Sequence, residues 1–183
     1  MKSNRFLYLL PLLTLAILAG FFGWSLVSGR DPASIGSALV GRPAPTLKAP
    51  ALRPGEAALT DALLRTGKPT IVNFFASWCT PCITEHRELI AFDEAHRADG
   101  DAALISVTYD NEADDARAFF AQRGGGWPVI DDPDNRIGVA YGVAQVPESF
   151  VISPDGIVVV RFAGAVTRAD LDEVIDFYEG GSR

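Results

Sequence analysis

A chain of 183 residues can build one ordinary domain with a full core, plus a short additional segment. The formal net charge of -7 argues against a nucleic-acid binder, whose phosphate contacts need a basic face. Hydrophobic residues make up 48% of the chain and no window is of low complexity, which excludes a globally disordered protein.

The first segment is apolar. Phe6 to Val27 reads FLYLLPLLTLAILAGFFGWSLV, 22 residues without a charge, enough to cross the roughly 30 Å hydrocarbon core as a helix. Lys2 and Arg5 precede it and the first acid is Asp31. The positive-inside rule therefore predicts residues 1–5 in the cytoplasm, a transmembrane anchor over 6–27, and export of everything that follows. Trp24 fits an interfacial anchor. A cleaved signal peptide is the competing reading, but the apolar run exceeds the roughly 7–15 residues of a signal core and no clear A-x-A site follows it. Phe21 stands where a lipoprotein start would need a cysteine. Residues 28–58 are rich in proline and glycine, the composition of turns and extended chain. Residues 28–38 are read as a tether and 39–52 as an irregular strand at a sheet edge, where proline is tolerated.

From residue 39 to 183 the pattern is that of one domain in which strands and helices alternate. PTIVNFFA, 69–76, is a continuous apolar, β-rich run, as in a strand covered on both faces. A helix is predicted over 83–97, a second buried strand over 102–109, and a helix over 111–123 that the glycines at 124–126 end. Trp127-Pro128 leads into a further strand. A short helix over 135–141 follows, then strands over 149–152 and 157–162 joined by the turn Ser153-Pro154-Asp155-Gly156, and a last helix over 167–178 capped by Thr167. This order predicts an α/β fold, a three-layer α/β/α sandwich with a mixed sheet.

The chemistry concentrates in FFASWCTPCITEH, which holds Cys79 and Cys82, the two cysteines of the chain. A structural staple over a two-residue gap removes little unfolded-state entropy. A zinc site lacks its further ligands, because His86 and His96 stand ten residues apart with no second C-x-x-C. Covalent haem attachment needs histidine after the second cysteine, and Ile83 is there. Redox exchange remains, and the context favours it. A strand that runs into a helix N-terminus places Cys79 where free backbone N–H groups stabilise a thiolate. Pro81 fits the first helical turn. Cys79 is the expected nucleophile and Cys82 the resolving thiol; no metal or other cofactor is required.

WCTPC between an apolar strand and a helix, with Val146-Pro147 further on and a hairpin after it, resembles the thioredoxin fold. The resemblance implies that Pro147 follows a cis peptide bond and that its loop, with Val146 and Trp78, faces the disulfide and binds an extended substrate. Within that fold, Glu85-His86, Tyr141-Gly142-Val143, Val146-Pro147-Glu148-Ser149-Phe150 and the SPDG turn resemble the membrane-anchored periplasmic thiol-disulfide oxidoreductases of cytochrome c maturation, the CcmG/DsbE type. The opening VGRPAPTLKAPAL is similar too. That resemblance implies an inner-membrane protein that reduces apocytochrome c, directly or indirectly, with electrons from a transmembrane thiol reductase of the DsbD/CcdA kind. A reductant for another cysteine-containing client, such as an oxidase copper site, is the alternative. A tethered binding module whose disulfide never turns over is a third reading, but it would not need two cysteines at this spacing.

One departure matters. Thioredoxins carry a buried aspartate six residues before the first cysteine; Asn73 stands there and cannot take a proton. Glu85, three residues after Cys82 on the same helix, and Glu148, beside Pro147, are the candidate acids that serve the resolving cysteine. The acidic run Asp131 to Asn135 breaks the register of a calcium loop and is read as a turn that caps the next helix. His86 is expected on the helix surface.

Overall fold

The computed structural model describes residues 11, 13–15, 17, 18, 20 and 37–180. Most of the anchor expected over 6–27 and most of the tether over 28–38 lie outside them, and among the described residues no helix is long and apolar enough to cross a membrane. The chain divides at Pro32, and every element below belongs to the unit that follows it.

That unit is built on a five-stranded mixed sheet in the order β3-β2-β1-β4-β5. The elements are β1 Thr70–Phe75, α1 Thr80–Asp99, β2 Ala103–Thr108, α2 Ala113–Arg123, β3 Val129–Ile130, α3 Arg136–Tyr141, β4 Glu148–Ile152, β5 Val158–Ala163 and α4 Arg168–Gly180. β1, β2 and β3 are parallel, while β4 runs antiparallel to both β1 and β5. All six residues of β1 are buried, as the unbroken apolar run required.

Side-chain alternation along the strands divides the core in two. On one face Ile71, Phe75, Leu104 and Val151 pack with Leu89 and Phe92 of α1, Phe119 and Phe120 of α2, and Leu171 and Ile175 of α4. On the other, Val72, Phe74, Ile105, Phe150 and Ile152 pack with Ile137 and Tyr141 of α3, and with Leu47 and Leu64 from the chain before β1. The layers are therefore the α/β/α sandwich expected, with the second outer layer made partly of irregular chain.

Residues 39–52 are not the edge strand expected. They touch both edges of the sheet instead: Gly41 donates its backbone N–H to Val158 of β5, Ala44 donates to Gly156 just before it, and Leu52 donates to Val129 of β3. Pro43, Pro45 and Pro50 have no N–H to offer, which limits the pairing to isolated bridges. Covering the edges this way removes open backbone groups that would otherwise template aggregation.

Caps follow the sequence closely. Thr167 Oγ1 accepts the Asp170 N–H at 3.3 Å while the Asp170 carboxylate accepts the Thr167 N–H at 2.7 Å, a reciprocal cap on α4. The Asp132 carboxylate accepts N–H groups from Arg136, Ile137 and Gly138 at the start of α3, which is the capping turn read from the acidic run. Gly100 ends α1 at φ 69°, the left-handed conformation glycine takes at no steric cost.

At that end of α1, His96 ties three segments together. Its Nδ1 lies 3.0 Å from the Asp101 carboxylate and its Nε2 3.0 Å from Asp172 of α4. Carboxylates only accept, so both ring nitrogens donate and the ring is an imidazolium. Burial lowers its pKa, but the hydrogen bonds and charges of Asp172 and Asp101 outweigh burial and the net shift is upward. A base raised in the folded state stabilises the fold fully below its unfolded pKa, near 6.5, and loses that contribution as pH rises through the folded value. His96→Gln is therefore expected to cost about 1–2 kcal/mol at pH 6, with the deficit shrinking as pH rises through the raised folded-state value. Denaturant unfolding of both proteins across this range tests it; parallel stability curves would refute the clasp.

Candidate active site

The site forms where β1 stops and α1 begins. Cys79 is the N-cap of α1 and its Sγ accepts the Cys82 N–H at 3.1 Å. The two cysteines are joined as a disulfide with Cα atoms 5.2 Å apart. The helix starts at Thr80, three residues earlier than the sequence pattern suggests, because Pro81 is accommodated in the first turn. On reduction, Cys79 would face unpaired N–H groups and the positive end of the α1 dipole, the environment that favours a thiolate.

Three loops close around the pair. The loop between α3 and β4 brings Val146-Pro147 up to the disulfide through a cis bond, with the Val146 carbonyl 3.5 Å from Cys79 Sγ. That is the placement the resemblance implied for Val146 and Pro147. The loop after β2 holds the cysteine loop from the other side: Asn111 Oδ1 accepts both the Ser77 N–H at 2.6 Å and the Ser77 hydroxyl at 2.7 Å. Trp78 is 61% exposed, and its Nε1 donates to the Asp110 carbonyl at 2.9 Å. Asp110 takes φ 45°, a left-handed conformation uncommon outside glycine, in the turn that presents this carbonyl. Trp78 is thus an open indole platform fixed beside Cys79.

The loop after β5 reaches the site through Glu85. This residue shares the buried face of α1 with Cys82, His86, Leu89 and Phe92. Its carboxylate accepts the Val166 N–H at 3.0 Å and an Asn73 Nδ2 hydrogen at 3.1 Å. Asn73 also donates to Ser149 Oγ at 3.0 Å, and Trp127 Nε1 donates to Ser106 Oγ at 2.8 Å alongside. Burial dominates the electrostatics, and pushes the Glu85 pKa up to about 7 against the lowering effect of the Val166 and Asn73 hydrogen bonds. An acid with that value, one helical turn from Cys82, can exchange a proton near neutrality.

Glu148 is differently placed. It follows the alternation of β4, so it faces away from the side on which Ser149 meets Asn73. Its carboxylate is completely buried in an ion pair with Arg161.

His86 corrects the sequence reading. It is buried rather than on the helix surface, with Nε2 donating to the Gly124 carbonyl at 3.0 Å and ring contacts to Phe119, Phe120 and Trp127 at 4.8 to 5.4 Å. Burial lowers its pKa, with the Arg123 charge adding to the effect and the Gly124 bond opposing it, so it packs as a neutral ring. Asn111, Asp110 and Arg161 were not singled out in the sequence. Arg161 alone left a signal, a charge inside the β-run IVVVRFAG that needs a partner once buried.

A C-x-x-C disulfide at a helix start, with Cys82 on the buried face beside a titrating acid and a backbone carbonyl against Cys79 Sγ, is an arrangement built for dithiol–disulfide exchange. Comparison with known proteins agrees. Residues 40–161 match the AhpC/TSA family. The thiol:disulfide interchange protein HelX of Rhodobacter capsulatus is 38% identical over 170 residues, spanning 91% of this chain and 93% of that protein. DsbE of Escherichia coli K12, also a thiol:disulfide interchange protein, is 31% identical over 88% of this chain and 86% of its own. A solved thiol:disulfide interchange protein of the thioredoxin family from Chlorobium tepidum superposes with a TM-score of 0.65 at 26% identity, over 74% of this chain and 94% of that one. A DsbF homologue from Corynebacterium diphtheriae, 21% identical, shares the fold with a TM-score of 0.67 over 81% of this chain and 95% of its own. On the extent of these matches and the Cys79–Cys82 centre they cover, the chain belongs to the AhpC/TSA family, among its thiol:disulfide interchange proteins.

Proposed function

We propose that this thiol-disulfide oxidoreductase is a reductant held at the inner membrane by residues 6–27, with its thioredoxin-like domain, 39–183, in the periplasm. Its client in this reading is apocytochrome c, whose haem-binding cysteines it frees directly or through an intermediate protein. A transmembrane thiol reductase of the DsbD/CcdA kind resets it. The uncharged 22-residue run after Lys2 and Arg5 supports the location. The sequence around Tyr141-Gly142-Val143 and Val146-Pro147-Glu148 supports the client.

The observation that carries the chemistry is Cys79 Sγ at the N-cap of α1, beside the Val146 carbonyl. The Cys79 thiolate attacks one sulfur of the client disulfide; that bond breaks, a mixed disulfide forms, and the other client sulfur leaves as a thiolate. Cys82 gives up its proton and attacks Cys79 Sγ. The mixed disulfide breaks, the second client thiolate is released, and the electron pair lost by the Cys79–Cys82 dithiol has reduced the client. Glu85 is assigned the Cys82 proton, because it shares that helix face and, among the described residues, is held by neutral donors. Glu148, bound to Arg161, orders the Pro147 loop instead.

Three outcomes follow. The Cys79–Cys82 couple is expected to lie nearer the roughly -270 mV of thioredoxin than the -120 mV of a strong oxidant, measured in dithiothreitol or glutathione buffers; an oxidising value would remove the reductant assignment. Cys82→Ser should accumulate a mixed disulfide with client while Cys79→Ser accumulates none, and the reverse pattern would exchange the two roles. Glu85→Gln should slow resolution of the mixed disulfide by roughly ten- to a hundredfold at pH 7 and abolish an inflection near that pH in the rate profile. An unaltered profile would take Glu85 out of the mechanism.

A further inference from the structure

The β5 arginine sits in an unusual place. Arg161 lies opposite Phe150 in the β4–β5 ladder, yet its guanidinium reaches diagonally to Glu148, with Nε donating to Oε2 at 2.9 Å and Nη2 to Oε1 at 2.8 Å. The Arg161 side chain is 13% exposed and that of Glu148 is fully buried. A pair this deep loses most of its attraction to desolvation, so net stability is a poor account of what it does. Its geometry offers a better one. The same carboxylate accepts the Ala144 N–H at 3.2 Å and approaches the Gln145 N–H at 3.4 Å. These are the two residues before Val146, whose carbonyl stands over Cys79. On the far side of the cis bond, the Pro147 carbonyl accepts the N–H of Gly164, just past the end of β5, at 2.9 Å.

β5 therefore grips the substrate loop on both sides, and one grip is electrostatic. A carboxylate can rotate about its last torsion, but a two-pronged guanidinium fixes its plane and thereby the direction from which it receives the loop N–H groups. We propose that Arg161 is a positioning residue for client recognition: through Glu148 it fixes the Ala144 to Val146 backbone, so that an extended client strand meets a preformed partner beside Cys79. The proposal deepens the exchange reading above and rests on it. An extended peptide docks by backbone hydrogen bonds to such a segment, whereas a small disulfide needs only the sulfur. Disorder in the loop would therefore appear first as weakened peptide binding.

The test uses the full chain in detergent, reduced, in single turnovers. One substrate is a synthetic unstructured peptide with an internal disulfide; the other is 5,5′-dithiobis(2-nitrobenzoate). Arg161→Met and Arg161→Lys are measured together with the double variant Arg161→Met/Glu148→Gln, which removes both charges but leaves an amide oxygen to accept from Ala144. For Arg161→Met the half-saturating peptide concentration is expected to rise about tenfold while the limiting rate changes less than about threefold, with Arg161→Lys between it and wild type. The double variant should recover part of the loss, since no unpaired buried carboxylate remains. If Arg161→Met is too unstable to purify, Arg161→Lys and the double variant carry the same comparison. Equal loss for the peptide and the small disulfide, or an unchanged half-saturating concentration in folded variants, would overturn the positioning role. Failure of the wild-type protein to reduce either disulfide would overturn the exchange reading itself, which is a separate outcome.

Discussion

The side-chain amide of Asn73 is sealed in the central strand, and much of the site depends on how it is satisfied. A buried amide left unpaired costs on the order of 1–3 kcal/mol, so its partners must be brought to it. They come from two directions: Glu85 from α1 and Ser149 from β4, with Ser106 of β2 alongside. Satisfying Asn73 thus sets the rotation of α1 about its axis and the register of β4 beside β1. The first fixes which way Cys82, one turn before Glu85, faces; the second fixes where the chain enters β4 from Pro147. Glu85 then extends the same network to the loop after β5 through Val166. Cysteines and cis-proline loop are aligned by one polar cluster inside the sheet.

The two buried carboxylates keep different company because the sheet separates them. Alternation along β4 sends Ser149 toward α1 and Glu148 toward the opposite layer. Glu85 has only hydrogen-bond donors of neutral groups, so burial dominates and its proton is held near neutrality. Glu148 has a guanidinium and two loop N–H groups, the company of an anchor. Substituting asparagine for the aspartate that thioredoxins carry in β1 does not remove an acid from this region. It moves the acid from strand to helix and leaves a donor to orient it.

Much of this was legible in the chain. Six of six buried residues in β1, the C-x-x-C at a strand–helix junction, the proline that follows Val146 and the reciprocal cap at Thr167 each have a local signature. What was not legible depends on tertiary placement. His86 reads as surface because Glu85, Arg87 and Glu88 surround it, yet residues 82, 85, 86, 89 and 92 share one side of α1 and that side is buried. The face is hard to see because three of its five members are cysteine, glutamate and histidine. The chain over 39–52 carries the prolines of an edge, but no local pattern says that it serves both edges. Arg161 shows only that a partner is needed. Which acid supplies it follows from the diagonal of an antiparallel pair, a property of the hairpin and not of either strand.

Two of the buried titrating groups, Glu85 and His96, also act on the fold in a common direction through neutrality. Glu85, an acid raised to about 7, binds a proton in the folded state that the unfolded chain has released, so its charge opposes folding as pH rises from about 4.5 to 7. The His96 clasp likewise weakens as pH rises, through loss of the imidazolium proton. His86 acts in the other sense: held neutral by burial, it opposes folding only where the unfolded ring would be protonated, below about 6.5. Glu85 and His96 together therefore tilt stability toward the acid side of neutrality, and His86 limits how far that tilt continues. Deprotonation of Glu85 is also what its proposed service to Cys82 requires. The form ready to accept the resolving proton is thus the form in which the buried network holds the fold less tightly, and catalytic readiness at this site is drawn from folding stability.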